Sequence, residues 1–232
     1  MSTIYLVRHA ESEHNVTKDF NIRDPGLTDL GFKQASSLAT GAFPALDSIG
    51  VIISSPLRRT IETTIAGFGG IIGISSGSTG ANNSGAGGSV KLVLDRDLQE
   101  RSDLPCDTGS EVSALQERFP QLAGLGSSPF DVLGDNWFAK EGPYTADDEA
   151  VAARAKRVRS KLKELANDLS KDSSGSGKKD IVVVTHGVFM KFLSEDQTID
   201  LPKAGWRAFK LAPAGTAGSA GEGEDTLVPV DV

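Results

Sequence analysis

Five basic residues lie where short apolar runs of the chain end. Arg8 and His9 follow the first such run, Arg58 and Arg59 follow the second, and His186 follows a third. Arginine forks match the oxygen atoms of a phosphate group, and a neutral imidazole can act as a nucleophile toward phosphorus. A second imidazole can stabilise charge on the phosphoryl oxygens. These residue types therefore indicate phosphoryl-transfer chemistry.

The apolar runs have the length and composition of buried β-strands. Residues 4–7, 51–54 and 181–185 are rich in β-branched and aliphatic residues, and residues 90–94 and 206–211 are weaker candidates. Continuous apolar character indicates strands covered on both faces, as in a parallel sheet between helices. Ligands bind beyond the carboxyl ends of strands in such sheets. The basic residues that follow the runs should therefore converge in one crevice.

Helical patterns lie between the predicted strands. The clearest helix extends from about residue 145 to 169, where apolar residues recur every three or four positions and Thr145 and Asp148 have capping-box spacing. The alternation of strand and helix predicts one α/β domain with three α/β/α layers and a mainly parallel central sheet. Residues 103–144 are expected to form an irregular, partly helical excursion that covers one edge of the site.

The predicted domain covers residues 1–212. Residues 73–89 and 171–179 are rich in glycine and serine, which is typical of flexible loops, and strand–helix alternation resumes after each. Neither loop is therefore expected to separate two domains. Residues 213–232 are glycine-rich and acidic, and we expect them to form a disordered tail.

Composition restricts the possible partners and compartment. The formal net charge is −7 at pH 7, which argues against nucleic acid or an anionic membrane as a partner. The single cysteine, Cys106, excludes an internal disulfide and fits a reducing compartment. No targeting segment or bilayer-length apolar stretch is visible, so we expect a cytoplasmic protein. The sequence leaves open whether it is a monomer or a dimer.

Five segments of the chain resemble a family signature and occur in the family's order. They are similar to the motifs of the histidine phosphatase superfamily, in its phosphoglycerate-mutase-like branch, and extend from the start to about residue 194. Residues 136–142 and the helix after them resemble poorly characterised fungal members. The matching segments are LVRHAESEHN (6–15), DPGLTDLG (24–31) followed by Gln34 and Ala35, SSPLRRT (54–60) followed by Thr63, LQE (98–100) and VTHG (184–187).

The resemblance implies a phosphoglycerate-mutase-like fold and a role for each matching polar residue. His9 would be the nucleophile that accepts the phosphoryl group. Glu100 would protonate the leaving oxygen and then act as the base that activates water. Arg8, Arg59 and His186 would complete the catalytic set. The residues that would bind the phosphate are Arg8, Asn15, Arg59 and His186.

Some of these assignments have alternatives. The family pattern selects Arg59 rather than the adjacent Arg58, a choice that the residue types alone do not make. Asp97 or Asp103 could replace Glu100 as the acid, since both lie close to it in the sequence. Asn15 could instead be a helix cap or a turn residue.

A metal site or another cofactor is not expected. His14 lies close to His9 in the sequence, but the two histidines lack the i, i+4 spacing of metalloprotease motifs. A set of metal ligands would also need carboxylates or cysteines nearby. The predicted ligand is therefore a small phosphorylated substrate alone.

The segment after Glu100 bears on the reaction. It lacks the tyrosine and the paired basic residues with which, by the resemblance, glycolytic mutases hold phosphoglycerate. This favours a metal-independent phosphoric monoester hydrolase acting on a small phosphorylated metabolite through a phosphohistidine. A phosphoglycerate-type mutase is one alternative. A catalytically weak binding or scaffold member of the same superfamily is another.

Overall fold

A computed structural model describes residues 2–44, 46–74, 90–125, 128–171, 177–212 and 225–232. Within these residues, six strands form one sheet in the order β3-β2-β4-β1-β5-β6. Strands β1 to β4 pair in parallel, while β5 pairs antiparallel with β1 and with β6. The strands are β1 (Ile4–Arg8), β2 (Ile49–Ser54), β3 (Lys91–Leu94), β4 (Asp180–Thr185), β5 (Trp206–Ala212) and β6 (Thr226–Val230).

Helices cover both faces of this sheet. Helices α2 and α3 pack together over one face, and α5 and α6 pack together over the other. The three-layer α/β/α architecture and the mainly parallel sheet are therefore confirmed. The α-helices of the described residues are α1 (Glu13–Thr17), α2 (Asp29–Ser37), α3 (Arg58–Ile72), α4 (Val112–Arg118), α5 (Asp148–Lys171) and α6 (Gly187–Ser194).

The first strand explains why its sequence is apolar without alternation. Tyr5 and Val7 pack into the core beneath α2 and α3, whereas Ile4 and Leu6 pack into the core beneath α5 and α6. Successive side chains of a strand point to opposite faces, so a strand covered on both faces needs apolar residues at every position.

The parallel strands bring the expected residues to one edge of the sheet. The N–H of His9 donates to the carbonyl of Thr185 over 3.0 Å, and the N–H of Ser55 donates to the carbonyl of Val184 over 3.0 Å. The carboxyl ends of β1, β2 and β4 therefore lie side by side. His186, which follows Thr185 directly, joins them there.

The described residues between 103 and 144 form the irregular, partly helical excursion that the sequence predicts. They contain α4 and short 3₁₀ turns at Pro105–Asp107, Pro120–Leu122 and Gly142–Tyr144. Trp137 is fully buried and its indole N–H donates to the carbonyl of Ser110 over 3.0 Å. This contact ties the end of the excursion to its beginning.

Two expectations from the sequence are wrong. The capping-box spacing of Thr145 and Asp148 predicts that Thr145 caps α5. The capping residue is instead Asp147, which accepts from the N–H of Ala150 over 2.9 Å, while the hydroxyl of Thr145 donates to Asp147. The prediction that residues 213–232 form a disordered tail is wrong for Thr226–Val230, because β6 pairs with β5 and Leu227 is buried against the sheet. An apolar side chain that reaches the core can order a segment whose surroundings are glycine-rich and acidic.

Parts of the predicted flexible segments lie outside the described residues, namely 75–89, 172–176 and 213–224. Among the residues that the structure describes, no helix is long and apolar enough to cross a membrane.

Candidate active site

His9 lies at the carboxyl end of β1 with 4% of its surface exposed. Its Nδ1 lies 2.7 Å from the carbonyl oxygen of Ala10. A carbonyl only accepts, so Nδ1 carries the proton and Nε2 keeps its lone pair. Burial, together with the charges of Arg59 and Lys203, lowers the pKa of His9 well below its usual value. The ring is therefore neutral at neutral pH.

Arg59 lies in the first turn of α3 and is 1% exposed. Its Nη1 donates to the carbonyl of Cys106 over 2.6 Å, and its Nη2 donates to Oδ1 of Asp107 over 2.7 Å. The hydroxyl of Ser102 donates to the other Asp107 oxygen over 2.6 Å. The excursion thus holds this guanidinium in place through a buried ion pair. The neighbouring Arg58 instead pairs with Glu62 over 2.9 Å.

His186 is fully buried beside these residues, and its ring centroid lies 5.2 Å from that of His9. Nη2 of Arg59 lies 3.1 Å from its Nδ1, and the hydroxyl of Ser55 lies 2.9 Å from its Nε2. A guanidinium only donates, so Nδ1 accepts and Nε2 donates to Ser55. Burial and the charge of Arg59 lower the pKa of His186 well below its usual value. Both ring nitrogens of His186 therefore have protein partners.

Arg8 approaches the site from the end of β1. Its Nη1 donates to Oδ1 of Asp200 over 2.9 Å and to the carbonyl of Leu201. A Cβ added at Gly187 would lie 3.1 Å from the guanidinium carbon of Arg8. Glycine at position 187 therefore leaves room for the arginine next to the first turn of α6.

Glu100 caps α6 with its carboxylate. Oε1 accepts from the N–H groups of Phe189 over 2.9 Å and Arg101 over 2.8 Å, and Oε2 accepts from that of Val188 over 3.1 Å. Burial raises the pKa of Glu100, and the nearby charge of Asp107 raises it further. A carboxyl group with a raised pKa can hold a proton for a leaving oxygen.

The alternative acids do not share this position. Both oxygens of Asp97 accept from Arg157, at 2.7 and 3.0 Å. Asp103 lies against a separate depression together with Arg23 and Phe138. Of these three carboxylates, Glu100 is therefore the one that lines the cleft.

Asn15 both caps a helix and lines the cleft. Its Oδ1 accepts from the N–H of Ser12 over 3.2 Å and from the Ser12 hydroxyl over 3.0 Å, while its Nδ2 donates to Nε2 of His14 over 3.0 Å. Burial and the charge of Arg59 lower the pKa of His14 to about 4, so His14 is neutral and can accept this bond. The orientation of the Asn15 amide is thereby fixed.

A cleft of about 360 Å³ opens over these groups. It is lined by Arg8, His9, Asn15, Arg59 and Glu100, which the sequence singled out, whereas His186 contacts Arg59 and is not among the lining residues. Within the residues that the structure describes, no three histidine, cysteine, aspartate or glutamate side chains are grouped as metal ligands.

Sequence reasoning missed Lys203, which also lines the cleft. A tight turn positions it: the N–H of Gly205 donates to the carbonyl of Pro202 over 2.9 Å, and Ala204 has a φ of 56°. The N–H of Arg8 donates to the carbonyl of Gly205 over 2.9 Å, so this turn is joined to β1. Burial, Arg8 and Arg59 lower the pKa of Lys203 to about 7.

Sequence reasoning also missed Asp107 and Ser55 as partners of the basic residues. Ser55 lies within a segment that matches a family motif, so the sequence offered a signal by which it could have been found. Asp107 and Lys203 have no comparable signal, because each lies outside the matching segments and reaches the site only through tertiary contacts.

The α/β/α fold brings His9, Arg8 and Arg59 together at the edge of the sheet where ligands bind, and their side-chain types suit a phosphoryl group. The comparisons with known proteins give the family of this chain. Residues 4–70 match the model of the histidine phosphatase superfamily (branch 1). A Schizosaccharomyces pombe protein named "probable phosphatase" is 30% identical over 208 residues, which cover 87% of this chain and 83% of that protein. The chain therefore belongs to the histidine phosphatase superfamily.

Two further similarities agree with this assignment. Phosphoglycerate mutase-like protein 1 of Arabidopsis thaliana is 31% identical over 142 residues, 52% of this chain and 50% of that protein. The chain thus spans about half the length of this curated relative. The solved structure named Mycobacterial hydrolase 1 has the same fold, with a TM-score of 0.58 at 18% identity, over 100% of this chain and 98% of that one.

Proposed function

We propose that this protein is a metal-independent phosphatase that hydrolyses a small phosphomonoester through a phosphohistidine on His9. The observation that carries the proposal is the 2.7 Å contact between Nδ1 of His9 and the carbonyl oxygen of Ala10, from which we infer that the ring proton is on Nδ1. It leaves Nε2 with a free lone pair and, among the described residues, without a hydrogen-bond partner. A neutral imidazole fixed in this way is ready to attack phosphorus.

In the first step, Nε2 of His9 forms a bond to phosphorus while the bond from phosphorus to the ester oxygen breaks. The carboxylic acid of Glu100 gives its proton to the departing oxygen, so that the alcohol leaves neutral. Arg8, Arg59 and Lys203 face the cleft and stabilise the negative charge of the phosphoryl oxygens.

In the second step, the Glu100 carboxylate takes a proton from water, and the resulting hydroxide oxygen bonds to phosphorus. The bond between phosphorus and Nε2 breaks, which restores the neutral imidazole and releases inorganic phosphate. The two steps together consume one water and return Glu100 to its protonated form. No metal ion is needed, because the cationic side chains supply the positive charge.

Hydrolysis is favoured over a mutase reaction by the surroundings of Glu100. Arg101, the basic residue next to it, donates to the carbonyl of Ala146 over 3.0 Å and pairs with Asp148 over 2.6 Å. It does not line the cleft. The name of the plant relative keeps a phosphoglycerate mutase as the alternative, and a coupled assay of phosphoglycerate interconversion distinguishes the two.

The test is hydrolysis of p-nitrophenyl phosphate in the presence of EDTA. We expect turnover by the wild type and a loss of about a thousandfold or more in His9→Ala. His9→Gln is a second variant that keeps a polar side chain but lacks the nucleophile. No hydrolysis by the wild type, or equal hydrolysis by either variant, would contradict the proposal. Inhibition by EDTA would contradict its metal independence.

A further inference from the structure

Three large apolar side chains are exposed where the cleft opens. Phe20 is 47% exposed, Leu104 is 45% exposed and Val188 is 40% exposed, and all three line the cleft. Each comes from a different part of the chain: the loop after α1, the start of the excursion, and the first turn of α6. Their convergence beside the phosphate-binding groups gives the cleft an apolar wall.

The loops that carry two of these residues are joined to each other. The N–H of Cys106 donates to the carbonyl of Phe20 over 3.1 Å, and the N–H of Asp24 donates to the carbonyl of Pro105 over 3.3 Å. The ring of Phe20 also lies 6.2 Å from that of His14, centroid to centroid. Phe20 and Leu104 are therefore held together by their backbones before any ligand binds, which lowers the cost of binding.

Three of the cations near this wall have other partners. Arg23 donates to the carbonyl of Gly109 over 2.9 Å, and Lys140 donates to the carbonyl of Glu100 over 2.9 Å. Arg101 is bound to Ala146 and Asp148, as described above. Lys191 lines the cleft on α6, but a lysine can place its alkyl stem along apolar surface and its ammonium group in water.

The geometry points to a subsite for an apolar leaving group. The cleft takes phosphomonoesters of aryl or alkyl alcohols in preference to esters of glycerate or sugars. This inference rests on the proposed phosphatase function, because the apolar wall selects the alcohol that leaves when His9 takes the phosphoryl group. The hydroxyl-rich body of a sugar would lose hydrogen bonds to water against such a wall and regain few.

An alkyl phosphate series tests this subsite, because its leaving alcohols have similar acidity and differ in apolar length. A fully buried methylene is worth about fourfold in binding. Hexyl phosphate has four more methylenes than ethyl phosphate, so with about half of them buried kcat/KM of the wild type should rise roughly 15-fold from ethyl to hexyl phosphate. Glycerol 3-phosphate should be no better than ethyl phosphate.

Two variants and a control locate the effect. Leu104→Ser and Phe20→Ser should each lower the hexyl-to-ethyl ratio of kcat/KM by about threefold or more. Leu30→Ser removes a similarly exposed apolar side chain, on α2 and outside the cleft, and should leave the ratio unchanged. Because both cleft residues are exposed, at least one of the two variants is expected to fold.

The outcomes separate the two proposals. Hydrolysis that depends on His9 but shows no preference for hexyl phosphate overturns the apolar subsite and leaves the phosphatase proposal standing. A preference for hexyl phosphate that persists in both cleft variants also overturns the apolar subsite and leaves the phosphatase proposal standing. If no phosphomonoester of any length is hydrolysed, the phosphatase proposal fails and the subsite fails with it.

Discussion

Nη2 of Arg59 donates to Oδ1 of Asp107 over 2.7 Å, and both side chains are largely buried in the wall of the cleft. The ion pair joins the first turn of α3 to the excursion. It also places a negative charge near Glu100, where that charge raises the pKa of the Glu100 carboxyl. Asp107 therefore both holds the Arg59 guanidinium in place and raises the pKa of Glu100.

Substitution of Asp107 should shift the pH dependence of the reaction. The acid must be protonated, so activity falls as the pH rises through the pKa of Glu100. Asp107→Asn removes a charge that raises this pKa, and the alkaline limb of kcat/KM for an alkyl phosphate should therefore move to lower pH. Ser102→Ala keeps the Asp107 charge and should leave the limb closer to the wild-type position. A limb that is unmoved in Asp107→Asn would count against the proposed coupling.

Glu100→Gln should slow the hydrolysis of phosphate esters, and the loss should be larger when the leaving alcohol is less acidic. An alkoxide needs a proton as it leaves, so kcat/KM for ethyl phosphate should fall by about 10²–10⁴-fold. A dinitrophenyl ester leaves without a proton and should lose far less. Asp97→Asn, at the alternative carboxylate bound by Arg157, should change neither ester by more than a few-fold. Equal losses on both esters in Glu100→Gln would rule out the general-acid role.

Lys203 should make anion binding depend on pH around neutrality. Burial, Arg8 and Arg59 lower its pKa to about 7, against the opposing charges of Glu100 and Glu11. Its positive charge is present below pH 7 and lost above it. Competitive inhibition by sulfate, whose charge is constant in this range, should therefore weaken from pH 6 to 8 in the wild type.

Lys203→Met should bind sulfate more weakly at pH 6, by about 10-fold, and should lose most of this dependence on pH. Lys33→Met removes an exposed lysine on α2 and should reproduce the wild-type profile. An unchanged profile in Lys203→Met would show that another group titrates.

Two helical glycines should respond to alanine in opposite directions. A Cβ at Gly31 in α2 would overlap the carbonyl oxygen of Glu11, whereas a Cβ at Gly70 in α3 would meet nothing within 4 Å. Gly31→Ala should lower the free energy of unfolding by about 1–3 kcal/mol, and Gly70→Ala should raise it by about 0.5–1 kcal/mol. Urea denaturation measures both. Equal effects would mean that α2 does not pack against Glu11 as described.

The packing of strand β6 against the core can be tested by substituting one residue on each of its two faces. Leu227 is buried in the core with α6, while its neighbour Val228 is exposed. Leu227→Ala should cost about 2–3 kcal/mol of unfolding free energy, and Val228→Ala should cost less than about 0.5 kcal/mol. If residues 225–232 were disordered, neither substitution would change the stability.

The sequence by itself determined the architecture and most of the candidate site. The continuous apolar runs predict strands covered on both faces, and β1, β2 and β4 have that burial. Parallel strands end at a common edge, so the order of runs and basic residues along the chain is enough to predict that Arg8, His9 and His186 converge. The family motifs then distinguished Arg59 from Arg58, a choice that depends on which face of α3 meets the site.

Only the tertiary structure decided the contacts between segments that are far apart in the chain. Asp107 pairs with Arg59 across 48 positions, and Lys203 reaches the cleft through a turn bonded to Arg8. Neither relationship leaves a periodic or motif signal, because each depends on how the loops pack against the sheet. The same holds for β6: the glycine-rich and acidic residues that precede it predict disorder, but β6 itself pairs with β5 and buries Leu227 once the sheet has formed.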